Sequence, residues 1–215
     1  MLLNAVQSRL SSAVTSAFSA VLLTFMAVGC GLSPESDDSR DPLSNPEFLT
    51  PVAEAEDAGV GVYWLGTQFQ AGSLSFKVAG AAEFIDRPEG AGLEISYSAD
   101  IGRGNVAFDV ESYSAQRGGA TPPLGGAEVT RERALAVSGA TSEDVRVGNW
   151  EGELLSLPSA TRPVNQLVLF VDLGNTIVVG RPFSGGPGIP GEDLNPLIQA
   201  DLLIEVMEQL RPYPE

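Results

Sequence analysis

Apolar and polar residues alternate in seven stretches of the chain. In one of them, Phe108 and Val110 alternate with Asp109 and Glu111, so a strand there would have one apolar and one polar face. Strands of this kind are typical of an antiparallel sheet with one face against a core. The predicted strands cover residues 60–69, 73–78, 93–97, 106–113, 144–157, 166–173 and 176–180.

Two glycine–asparagine pairs predict tight hairpins. Gly174 and Asn175 lie between two β-rich runs, and glycine at the first turn position suits a type II′ turn. Gly148 and Asn149 interrupt the stretch 144–157 in the same way. We therefore expect these strands to pair with their neighbours in the sequence.

The C-terminal segment has the spacing of an amphipathic helix. Asn195 and Pro196 suit its start, and Pro212 prevents its continuation. Its apolar stripe consists of Leu197, Ile198, Leu202, Leu203, Val206, Met207 and Leu210. A second, shorter helix is predicted over 131–137, with Thr130 as its cap. The predicted fold class is α+β, an antiparallel β-sheet with the C-terminal amphipathic helix packed on one face, in a single domain over 59–215.

The N-terminal segment has a different pattern. Arg9 is its only charged residue before an apolar run at 17–28, which is too short to span a bilayer comfortably but fits a signal peptide. The run ends in Ala27-Val28-Gly29-Cys30, which resembles the lipobox of bacterial lipoproteins, with Ala27 in place of the usual leucine. The resemblance implies cleavage after Gly29 and lipidation of Cys30. Ordinary secretion and an uncleaved signal anchor over 10–34 are the alternatives.

This interpretation places the protein on the extracytoplasmic side of the cell membrane or outer membrane, held there by lipid. Two or more acyl chains give stable anchoring. Residues 1–29 would be the lipoprotein signal peptide. Residues 30–58, rich in Ser, Pro, Asp and Glu, would be the lipidated cysteine and a disordered acidic tether. Asp37, Asp38 and Asp41 lack the spacing of a calcium loop, so no metal is expected there.

Composition excludes several functions. The formal net charge is −16, which disfavours binding to nucleic acid. The chain has no histidine and one cysteine, so histidine-dependent catalysis and Cys or His zinc sites are excluded. Asp109 and Glu111 share a strand face and could hold a cation or act on a glycoside, although solvated surface acids are the simpler interpretation. We expect no cofactor.

A glycine-rich stretch at 186–191 matches the spacing of a dinucleotide-binding loop, GxGxxG. Pro187 and Pro190 remove two backbone donors that a phosphate would need, and Glu192 and Asp193 add negative charge where the pyrophosphate would lie. We therefore interpret the stretch as a loop between a strand and a helix.

The block GVYWLG at 61–66 resembles a segment of uncharacterised lipoproteins of high-GC bacteria, which supply no activity. Tyr63 and Trp64 should point to opposite faces of a strand. Together with Trp150, they are candidate binding residues, and the alternative is that they pack in the core.

The favoured hypothesis is a lipid-anchored envelope lipoprotein, not an enzyme, that binds an envelope protein or glycan or has a structural role. A carrier of a hydrophobic or lipid ligand is the first alternative, and a carboxylate-dependent enzyme is the second.

Overall fold

Residues 41–88, 90–102, 105–115, 126–159, 165–183 and 196–214 are the part of the chain that the computed structural model describes. They all belong to one compact unit, Ser39–Glu215. The predictions for Gly29, Cys30 and the stretch 186–191 lie outside the described residues. Among the described helices, none is long and apolar enough to cross a membrane.

Eight strands form one antiparallel sheet. They are β2 (Gln68–Ala71), β3 (Leu74–Arg87), β4 (Gly90–Asp100), β5 (Asn105–Ser114), β6 (Thr141–Val147), β7 (Trp150–Leu157), β8 (Gln166–Asp172) and β9 (Thr176–Phe183). Their order is β2-β3-β4-β5-β9-β8-β7-β6, so two four-stranded meanders meet where β5 pairs with β9. Strands β1 (Tyr63–Trp64) and β10 (Arg211–Pro212) form a separate pair.

The predicted antiparallel sheet and both predicted hairpins are confirmed. Gly148, with φ +58°, connects β6 to β7, and Gly174, with φ +90°, connects β8 to β9. Strand β3 is longer than predicted because it continues through a register shift between Val78 and Ala82. Its run of small residues has no clear alternation, and Gly80 takes a φ of +94° there. The predicted strand 60–69 is divided into β1 and β2, and Gly66 lies between them with φ +82°.

One face of the sheet carries the main buried cluster. Residues of this cluster occupy every second position of a strand, such as Ile95 and Tyr97 on β4 and Phe108 and Val110 on β5. The residues between them point to the opposite face. The largest fully buried side chains of this cluster are Phe48, Phe76, Leu93, Ile95, Tyr97, Phe108, Leu169, Leu197, Leu203 and Met207.

Helix α1 (Pro46–Asp57) corrects the predicted tether. The sequence predicts disorder over residues 41–58, but Phe48, Val52 and Ala55 are buried in the main cluster. Their spacing of four and three residues places them on one helix face. Asn45 caps the helix by accepting a hydrogen bond from the backbone N–H of Glu47 at 3.1 Å. The folded part therefore begins well before residue 59.

The predicted C-terminal helix is shorter than expected. A 3₁₀ turn at Pro196–Ile198 is followed by Gln199 in an extended conformation, and helix α3 (Ala200–Met207) begins after it. Asn195, the predicted cap, lies outside the described residues. Leu203, Val206 and Met207 of α3 belong to the main cluster.

Helix α2 (Gly126–Leu135) lies with a second buried cluster on the other face of the sheet. It begins before Thr130, so Thr130 is inside the helix and is not its cap, which corrects the prediction. The described buried members of this second cluster are Ile85, Tyr113, Ala127, Leu155, Val168, Phe170 and Val179.

Candidate functional site

The face of the sheet that carries α2, here called the second face, has two chemically different halves. Val168, Phe170 and Val179 on β8 and β9 form the apolar half, which is buried in the second cluster. Glu94 on β4 and Glu111 on β5 point to the same face of the sheet, because they are paired in register. The boundary between the apolar and acidic halves is the candidate site.

Tyr113 connects α2 to the sheet. A Cβ atom added to Gly92 on β4, or to Gly126 at the start of α2, would lie 2.7 Å from ring atoms of Tyr113. The ring therefore fits between two residues that have no side chain. A hydrogen bond between the Thr130 and Tyr113 side chains provides a second link between the helix and the sheet.

Glu111 is the most buried acid of this face, with 2% of its surface exposed. The Tyr113 hydroxyl donates a hydrogen bond of 2.5 Å to Glu111 Oε2. Arg181 on β9 contacts both carboxylate oxygens, at 2.9 Å for Nη1–Oε1 and 3.1 Å for Nη2–Oε2. A buried carboxylate requires such partners because its desolvation is unfavourable. Arg181 is consequently held in a fixed position at the edge of the acidic half.

Glu94 lies in a row of acids across three strands, between Glu83 on β3 and Glu111 on β5. Burial, followed by the charges of Asp109, Glu111 and Glu83, raises the pKa of Glu94 to about 7, while Arg181 acts in the opposite direction. Near neutral pH this carboxyl group can therefore gain or lose a proton.

Asp109 and Glu111 share one sheet face, as the sequence predicts. Burial raises the pKa of Asp109, while a hydrogen bond of 2.7 Å from the Ser96 hydroxyl and the charge of Arg181 oppose this change. The two acids therefore differ in partners and burial. No group of three or more His, Cys, Asp or Glu residues within the described ranges has an arrangement that could hold a metal ion. The interpretation of both as solvated surface acids is wrong for Glu111, which is buried. A role of Asp109 and Glu111 in holding a cation or acting on a glycoside stays a hypothesis.

A cavity of about 340 Å³ lies between α2 and the sheet, and we call it the arginine pocket. Its described lining is Arg87, Thr130, Arg133, Ala134, Leu157, Gln166, Val168, Arg181 and Phe183. Three guanidinium groups thus line a cavity whose described walls include no carboxylate. Such groups recognise phosphates and carboxylates through paired N–H donors.

A second cavity, of about 190 Å³, lies on another side of α2. Its lining includes the apolar residues Ala127, Phe170 and Ile177 and the exposed acids Glu151 and Asp172. Arg131 of the helix forms an ion pair with Glu153 in the same lining, and the Nη2–Oε1 distance is 2.7 Å. This pair lowers the pKa of Glu153. The second cavity is therefore smaller and more acidic than the arginine pocket.

The aromatic candidates lie away from both cavities. Trp64 is 4% exposed and packs between Phe48 and Tyr213. The Arg211 guanidinium lies 5.7 Å from its ring centroid. Tyr63 and Trp150 are half-buried and pack against the main cluster. The structure does not bring the three residues into the candidate site, and their role in binding stays a prediction.

Sequence reasoning missed the three arginines of the pocket. One available signal was the alternation in β9, where Arg181 follows Val179 and precedes Phe183 on the same strand face. A charged residue in that pattern marks a polar position on an apolar face. The positions of Arg87 and Arg133 beside it depend on the tertiary structure.

No protein family matches this chain, and no curated protein or solved structure shows significant similarity to it.

Proposed function

We propose that this chain is a lipid-anchored cell-envelope lipoprotein, a non-catalytic binding module whose ligand or partner contacts the second face of the sheet. The observation that carries the proposal is the pair of cavities beside α2, of about 340 and 190 Å³. Concave sites that combine an apolar floor with a few polar groups are typical of ligand binding.

The anchor in this proposal is Cys30. The lipobox-like segment ending at Cys30 supports attachment to the cell membrane or outer membrane on the extracytoplasmic side. The net charge of −16 disfavours nucleic acid as the partner, so the proposed partner is an envelope protein, a glycan or a lipid ligand.

We also propose that the C-terminal helix covers the face of the sheet opposite to the binding face. A Cβ atom added to Gly180 on β9 would lie 2.6 Å from Met207 Sδ, which supports a close approach of α3 to the sheet. The two faces would then have separate roles, one packed by helices α1 and α3, and the other available for binding.

The two alternative functions, a lipid carrier and an enzyme, require other features of this face. A carrier of a long-chain lipid would need a larger cavity than 340 Å³, so the small volume favours a compact ligand or the side chain of a partner. A carboxylate-dependent enzyme would use Glu94, whose pKa near 7 suits proton transfer. The binding module is the proposal because guanidinium groups, rather than converging acids, line the larger cavity.

Site-specific photo-cross-linking in the native host tests the binding face. A photoreactive amino acid would replace Gln166 or Glu151, which line the two cavities, in the full-length chain. Asp201 and Glu205, exposed on α3, are the control positions. We expect a discrete adduct from the cavity positions and none from the controls, with mass spectrometry identifying protein, glycan or lipid. Adducts from the α3 positions alone would contradict the proposal.

A further inference from the structure

The arginine pocket brings three guanidinium groups together in an acidic protein. The chain has 12 basic and 28 acidic residues, yet three arginines and no acid are found among the described lining of this cavity. Anions are repelled by a surface of this overall charge, so an anion site requires a local cluster of cations. The pocket places Arg87 and Arg133 beside Arg181, whose own charge is partly balanced by Glu111.

Arg181 is already oriented for a second interaction. Glu111 holds it through one N–H on each terminal nitrogen, at 2.9 and 3.1 Å. A guanidinium has five N–H donors, so about three remain for a ligand. The bond from Tyr113 to Glu111 fixes the carboxylate in turn. A preorganised donor loses less conformational entropy when it binds.

The other two arginines come from different elements. Arg87 lies at the end of β3, and Arg133 lies in the last turn of α2. Both are exposed residues, and both line the same cavity as Arg181. A ligand in the pocket would therefore contact guanidinium groups from three directions.

The remaining walls define the uncharged part of the ligand. Ala134, Leu157, Val168 and Phe183 supply apolar surface, and the volume of about 340 Å³ is near the lower limit for small-molecule sites. A phosphate monoester carries about −1.5 to −2 charges near neutral pH, which matches several guanidiniums better than the single charge of a carboxylate.

We infer that the arginine pocket binds a small organic phosphate, namely a phosphate monoester with a compact apolar group. Arg87, Arg133 and Arg181 contact the phosphate oxygens, and the apolar wall contacts the organic group. The inference rests on the proposed function, since it names the ligand class of the same face. A free metabolite and the headgroup of a phosphatidic-acid-type lipid share this chemistry.

Isothermal titration calorimetry on the full-length chain, purified in a mild nonionic detergent, tests the inference. The probes are phenyl phosphate, phenylacetate and dihexanoyl phosphatidic acid, the last representing a lipid headgroup. We expect phenyl phosphate to bind, and the double variant R87Q/R133Q to weaken binding at least tenfold. The matched control is Arg146→Gln, which changes an exposed arginine on β6 outside the pocket. We expect no more than a twofold change from it.

Binding of dihexanoyl phosphatidic acid but not of phenyl phosphate, with the same loss in R87Q/R133Q, would support the phosphate site and assign its source to a lipid. The inference is overturned if phenylacetate binds more tightly than phenyl phosphate, if R146Q weakens binding as much as R87Q/R133Q, or if no probe binds. Thermal unfolding of each variant checks that the fold is intact. Cross-linking at Gln166 and Glu151 does not depend on these probes, so failure of the phosphate inference can be distinguished from failure of the proposed binding face.

Discussion

Tyr113 depends on two glycines for its position. Its ring lies between Gly92 and Gly126, and its hydroxyl donates to Glu111. Alanine is favoured over glycine in a helix by up to about 1 kcal/mol, so propensity alone would predict that Gly126→Ala stabilises the protein. The contact of 2.7 Å opposes this, because overpacking against a buried ring costs about 1–3 kcal/mol.

We therefore expect Gly126→Ala to lower the free energy of unfolding by about 1–2 kcal/mol, since the ring cannot move away toward Gly92. Urea unfolding of Gly126→Ala, of Tyr113→Leu and of the double variant measures the energetic coupling between the two positions. The double variant should recover part of the loss, because leucine removes the clashing ring atoms. If the changes in unfolding free energy of the two single variants simply added in the double variant, this explanation would be contradicted.

Glu94 links the stability of the sheet to pH. Because its pKa in the folded state, about 7, is above the ordinary value of 4.5, the folded protein binds this proton more tightly than the unfolded chain. The contribution of Glu94 to stability is therefore full below about pH 4.5 and is lost as pH rises toward 7. Asp109 contributes in the same direction, and Glu153, whose pKa is lowered by Arg131, contributes in the opposite direction.

Glu94→Gln should reduce the loss of stability between pH 5 and pH 8 by about 1–2 kcal/mol, after allowance for partial exposure of the side chain. Urea unfolding at both pH values measures the difference. Glu83→Gln is the matched control, because Glu83 is an exposed acid in the same row. An unchanged pH dependence in the Glu94 variant would contradict the raised pKa.

Helix α1 is stabilised both by a local N-cap and by tertiary packing of its buried face. Asn45 accepts a hydrogen bond from Glu47 and donates one of 2.6 Å to the Gly80 carbonyl, at the irregular part of β3. Pro51 lies inside the helix, and its ring removes one backbone donor. Burial of Phe48 against Trp64 and Tyr213 offsets this effect.

Phe48→Ala should therefore lower the free energy of unfolding by about 3–5 kcal/mol, because it leaves a cavity in the main cluster. Leu49→Ala is the control, since Leu49 is next to Phe48 in the sequence but is 36% exposed. Its replacement should change stability by only about 0.5 kcal/mol. Denaturant unfolding of both variants measures the difference. Equal, small effects would indicate that α1 does not pack on the sheet.

At the scale of the whole molecule, the early start of the fold shortens the proposed tether. Ten residues, 31–40, lie between Cys30 and the first described residue, Asp41. A fully extended chain spans at most about 3.3–3.6 Å per residue, so this segment reaches roughly 35 Å. If Cys30 is lipidated as proposed, this length is the upper limit of the distance between the anchor and Asp41.

The anchor itself gives a further prediction. Cys30→Ala should release the protein from the membrane fraction and abolish incorporation of a clickable palmitate analogue, because the proposed diacylglyceryl group would be attached to this thiol. Ser33→Ala, in the same segment, should leave both unchanged. If the Cys30 variant remained in the membrane fraction, the uncleaved signal anchor would be favoured instead.

Local sequence patterns were enough to predict most strands, both hairpins and the antiparallel class, because alternation and turn residues act over a few neighbouring positions. It also placed Asp109 and Glu111 on one face, since side chains on a strand repeat every two residues. The lipid anchor remains a prediction from Ala27-Val28-Gly29-Cys30.

The burial of α1 in the core and the formation of the arginine pocket depend on long-range contacts. Glu111 and Arg181 are 70 residues apart in sequence and meet because β5 pairs with β9. Arg87 and Arg133 reach the same cavity from β3 and α2. Contacts of this range depend on how the two meanders join, which no local pattern of hydrophobic and polar residues encodes.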